Sequence, residues 1–92
     1  MTTVLTAAAK QALKARAHAL KPVVLVGQRG VTPAVMASVD EALNAHELIK
    51  IRLPAGEREQ RAQQATQIAA QLNAEVVTSI GRVLVLFRPR PA

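Results

Sequence analysis

The sequence predicts an α/β domain with the element order α-β-α-β-α-β-β, on three observations. Short β-branched or alternating apolar runs, VVLV at 23–26, LIKIRL at 48–53 and two more at 75–80 and 82–88, are separated by longer stretches whose apolar residues recur at helical spacing. Proline or glycine marks most of the junctions. The last two runs are joined only by Gly81-Arg82, a Gly-X pair that suits a II′ hairpin turn.

Each element has a local reason. Residues 6–19 place Ala9, Ala12, Leu13, Ala17 and Leu20 on one helical stripe, with Lys10 and Lys14 at i, i+4 on a basic side, and Lys21-Pro22 ends the helix. Val23 to Val26 form the first strand. Thr32 followed by Pro33 reads as an N-cap and first helical position, and Val35, Met36, Val39, Ala42 and Leu43 continue as a second helix over 33–45. In 48–53, Ile49, Ile51 and Leu53 fall on one face of a strand, and Lys50 and Arg52 on the other, exposed face. Pro54-Ala55-Gly56 breaks it. The third helix, over 57–72, presents Ala62, Ala65, Ala69 and Leu72 to the sheet.

Right-handed β-α-β crossovers make the first three strands parallel, and the hairpin turns the fourth antiparallel to them, giving a four-stranded mixed sheet. One edge of the sheet therefore collects the loop after the first strand, the 54–58 loop and the hairpin turn. Arg29, Arg52, Arg58 and Arg82 converge there.

Composition limits the function. With 92 residues the chain has room for one domain, 1–92, that buries about 60–65 % of its unfolded surface. Twelve Lys and Arg against six Asp and Glu leave a net charge of +6, which favours a polyanionic partner. The absence of cysteine excludes disulfides and thiolate metal sites and fits a reducing compartment. No signal-peptide pattern opens the chain, and the longest apolar run, 83–87, is far short of the ~20 residues of a membrane span, so the expectation is a cytoplasmic protein with no membrane partner.

Catalytic constellations fail on spacing. Ser38 and His46 are about 12 Å apart along a helix, too far to share a proton. His18 and His46 read as capping or packing residues rather than metal ligands. G-Q-R-G at 27–30 lacks the G-K-[ST] half of a nucleotide-binding P-loop. Neither an enzyme, a cofactor, a metal nor a small-molecule substrate is expected.

The same G-Q-R-G stretch has the chemistry of an anion site. Its glycines permit close approach of another backbone, its N–H groups are expected to be exposed, and the N-terminus of the second helix follows.

The segments LKPVVLVGQRGVTPAV, HELIKIRL and AEVVTSIGRVLVLFRP, in this order over residues 5–89, resemble the CRM domain, the RNA-binding module of chloroplast RNA splicing and bacterial ribosome maturation, in its single-domain YhbY-like form. The resemblance implies a two-layer α/β fold similar to the C-terminal domain of translation initiation factor three, with the last strand interior. It implies that Gly27, Gln28, Arg29 and Gly30 form a loop comparable to the KH-domain loop that clamps a nucleic-acid backbone. The partner it implies is structured RNA, in particular ribosomal RNA of large-subunit precursors. Lys50, Arg52, Arg58, Arg82, Lys10 and Lys14 complete the expected contact set. One position departs from the family pattern: L-Y-R is here Leu86-Phe87-Arg88, and Phe87 is the only aromatic residue, so readout by aromatic stacking is excluded. The competing reading is a protein-interaction adaptor that binds an acidic partner, but the scarcity of aromatic and Met anchors weighs against it.

Overall fold

A computed structural model describes residues 5–89; residues 1–4 and the last residues of the RPRPA tail, 90–92, lie outside the described residues. The first helix, α1 (Ala7–Ala17), starts where Thr6 Oγ1 accepts the N–H of Ala9 at 3.1 Å. Only Val24–Leu25 pair regularly as β1, although Val23 and Val26 also donate to β2 carbonyls. Helix α2 (Pro33–His46) is capped by Thr32, whose Oγ1 accepts from Val35 at 3.2 Å. After β2 (Leu48–Arg52), α3 (Arg58–Leu72) ends at Asn73, whose φ of 54° is the left-handed stop that asparagine tolerates. Strands β3 (Glu75–Ile80) and β4 (Val83–Phe87) form the hairpin. Gly81 has φ +57° and Arg82 does not have positive φ, the sign pattern of a II′ turn.

The sheet order is β1-β2-β4-β3, with β1 parallel to β2 and β4 antiparallel to both its neighbours. The last strand is thus interior, which accounts for the unbroken apolar sequence of 83–87. On one face Ile49, Ile51 and Leu53 pack with Leu84 and Leu86 against Val39 and Leu43 of α2 and Ile68 of α3. Ala62 is exposed and Ile68 is inaccessible to solvent, so α3 is rotated relative to the expected alanine stripe, with its largest aliphatic side chain inward.

The sheet and the α2–α3 layer account for this core, and α1 adds a partial layer on the opposite face. Leu13 and Ala17 are buried there over Leu48, Val77 and Val85, with Leu5, Leu20 and Phe87 around them. The β3 register skips between Val76 and Thr78, a bulge that places two successive residues, Val77 and Thr78, on the α1 side, while Val76 keeps its place on the α2–α3 side. Among the described residues no helix is long and apolar enough to cross a membrane.

Candidate nucleic-acid interface

The C-terminal ends of β1, β2 and β3 lie together, as the right-handed crossovers require. Val26 N–H donates to Arg52 O at 2.8 Å, and Leu53 N–H donates to Arg82 O at 2.7 Å. The Arg82 side chain reinforces this junction by donating Nε–H to Leu53 O at 3.1 Å. Arg82 is therefore both part of the edge and a tie that holds it closed.

Residues 27–30 form a single turn at this edge, closed by the Gly30 N–H donating to Gly27 O at 2.9 Å. This corrects the expectation of a fully open set of loop N–H groups: the Gly30 N–H is used within the turn, and the closing bond leaves those of Gln28 and Arg29, the central residues, out of it. The two glycines also differ. Gly30 has φ +76°, where an L side chain is strained, and a Cβ on it would lie 3.6 Å from the side-chain amide of Gln64, which places α3 beside the loop. Gly27 lacks positive φ, and a Cβ there would meet nothing within 4 Å. Neither its conformation nor its neighbours require glycine.

Arg29, Arg52, Arg58 and Arg82 are all exposed. Pro54 is buried, and the following loop is fixed by Arg61, which donates to Gly56 O. Arg61 was not among the expected residues, although its position three after Arg58 puts both on one helical face. Together they line a groove of ≈670 Å³ between α3 and the hairpin, with Thr66, Ser79 and Gly81. Glu57 and Glu59 stand at the same helix end and partly offset the positive charge.

The other expected cations are divided. Lys50 is half-buried on the α1 side of β2, where with Lys14 and His18 it lines a separate cleft. It also borders a second cleft of ≈360 Å³ with Arg16, Lys21 and His46, a cluster assembled from three segments that no local spacing announces. Lys10 is elsewhere: it shares a surface depression with Glu75 and Asn73, where the C-terminal end of α3 meets the start of β3.

A family model for the CRS1/YhbY (CRM) domain matches residues 5–88. The chain belongs to this family. It is 42 % identical over 87 residues to an RNA-binding protein of Haemophilus influenzae, covering 95 % of this chain and 88 % of the relative. A probable RNA-binding protein of Pseudomonas aeruginosa is 39 % identical over 87 residues, with coverage of 95 % and 84 %. The solution structure of the Staphylococcus aureus protein SAV1595 superposes with a TM-score of 0.85 at 25 % identity, covering 97 % of this chain and 93 % of that one.

In this CRM domain the Phe87 ring packs in the cluster under α1. The neighbouring Arg88 turns inward and binds the fold. Its guanidinium donates to Asp40 Oδ1 at 2.8 Å, Leu72 O at 2.9 Å, Asp40 O at 3.2 Å and Asn44 Oδ1 at 2.9 Å, joining β4 to both α2 and α3.

Proposed function

We propose that this CRM-domain protein binds structured RNA and serves as an assembly factor of the large ribosomal subunit, gripping the RNA backbone at the edge formed by Gly27–Gly30, Arg52, Arg58 and Arg82. The observation that carries the reading is the junction of β1, β2 and the hairpin at this edge, where Arg52 and Arg82, exposed like Arg29 and Arg58, tie the backbone next to a turn whose Gly27 would meet nothing within 4 Å of an added Cβ. Guanidinium groups match phosphate geometry, and the turn N–H groups add neutral donors. The names of the relatives support RNA as the polyanion, and the large-subunit role follows from the family resemblance.

The decisive variant is Gly27→Asp. It introduces a carboxylate where phosphate is expected without forcing a strained φ, so stability measured by urea unfolding changes by no more than about 0.5 kcal/mol. Affinity for structured RNA falls more than tenfold, and association with large-subunit precursors falls with it. Arg29→Ala costs about 1–2 kcal/mol of binding. For the wild type, log K declines with log salt by about 0.7–0.9 per phosphate contacted. A folded Gly27→Asp protein with unchanged RNA affinity would refute the loop-edge grip.

A further inference from the structure

The sheet face beneath α1 is only partly covered. Register sets one row across all four strands near their loop-edge ends: Leu25 beside Arg52, Arg52 beside Val83, and Val83 beside Ile80. The row spans about 14 Å, three inter-strand spacings of ~4.8 Å. Leu25 and Ile80 are each 70 % exposed, and with Val23 they are the large hydrophobic residues left exposed among the described residues. All three are on this face.

Between the row and α1 lies a cleft of ≈130 Å³. Ala17 and Val85, both buried, and half-buried Val83 give it an apolar lining; Lys14, Lys50 and Thr78 supply polar groups. The cleft is smaller than the ~300–1,000 Å³ pockets that enclose a whole small ligand. It suits one flat group belonging to a larger ligand. Among the described residues no carboxylate lines it, and Arg52 sits in the row itself, beside the lining residue Val83.

An apolar cavity with cations and a hydroxyl at its margin matches a group with apolar faces, polar edges and an attached negative charge, which is a nucleobase on its phosphate backbone. Continuity favours RNA over an acidic protein segment: the Arg52 carbonyl accepts the N–H of Val26, immediately before the Gly27–Gly30 turn. The turn and the row thus meet at one hydrogen-bonded junction of the backbone.

We infer that the α1–sheet cleft is a pocket for one unpaired nucleobase, with neighbouring phosphates at Lys50 and Arg52 and adjoining nucleosides against Leu25 and Ile80. The inference rests on the loop-edge reading and adds an unpaired nucleotide to the backbone contact described there.

The test uses the full chain and two labelled probes in fluorescence anisotropy, a blunt RNA hairpin and the same hairpin with a single-stranded oligouridine extension. The wild type binds the extended probe about tenfold more tightly, a difference of about 1.4 kcal/mol. Ile80→Lys removes that advantage and retains affinity for the blunt hairpin, although its added charge alone would tighten both complexes. In the wild type, 4-thiouridine in the extension crosslinks to residues 78–83 or to the 14–18 segment of α1, a readout that needs no variant. Equal wild-type affinity for the two probes, an advantage that survives in folded Ile80→Lys, or crosslinks confined to other segments would overturn the pocket. Equal affinity for two probes that both bind leaves the loop-edge grip standing; binding of the extended probe alone overturns that grip and leaves the pocket. Unchanged RNA binding by Ile80→Lys would assign the exposed row to a protein partner instead.

Discussion

At the end of the sheet where β2 begins, Arg88 is four-fifths covered at its side chain and joined to two helices, whereas at the loop edge Arg29, Arg52 and Arg58 project from the surface. The Arg88 end also contains Glu47, held at φ 62° and ψ −51°, a region that costs a non-glycine residue about 1–3 kcal/mol. The backbone N–H of Arg88 donates to Glu47 O at 2.9 Å, so one residue pins both the strained turn and the helix ends above it. The same side-chain chemistry thus serves cohesion at one end and is left available for a ligand at the other. Net charge alone cannot separate the two; the hydrogen-bond partners do.

The comparison can be broken from either side. Arg88→Ala produces the largest effect on stability, a loss of about 2 kcal/mol in urea unfolding, because Leu72 O at the end of α3 and Asp40 O within α2 lose a charged donor; the half-exposed Asp40 carboxylate contributes little of it. The fraction that remains folded binds RNA as the wild type does. Lys50→Ala with Arg52→Ala gives the reverse pattern, unfolding within about 0.5 kcal/mol of the wild type and an RNA affinity lowered about tenfold by loss of two phosphate contacts. Unfolding of this double variant would show that both residues are structural. Arg82→Ala falls between them: losing the bond to Leu53 O costs about 0.5–1 kcal/mol of stability, and RNA affinity drops by a few-fold. An Arg82 variant that changes only one of the two readouts would place that residue wholly in one class.

Much of this was legible from sequence because it depends on local pattern. The alternation of Ile49, Ile51 and Leu53 set the face of β2, Thr32-Pro33 set the start of α2, and Gly81-Arg82 set the hairpin; the handedness of the crossovers then brought the ends of β1, β2 and β3 to one edge. What escaped depends on contacts distant in sequence or on backbone detail. Arg88 meets Asp40 across 48 positions, and nothing near RPRPA announces it. The bulge at Val77 and the use of the Gly30 N–H inside its own turn are choices among backbone conformations that the residue types permit but do not compel. Lys10 and Lys14 share a helical side by spacing, yet the packing of α1 places Lys10 by Glu75 and Lys14 by Lys50.

The two outer strands have a consequence for self-association. β1 offers only two regularly paired residues and follows Pro22, while β3 is kinked at Val77. Strand addition and edge-to-edge aggregation need a long, flat row of unpaired backbone groups, and neither border of this sheet supplies one. Copies concentrated along the same polyanion meet through like-charged surfaces instead of through strands that could zip together, so crowding on the ligand does not template a fibre.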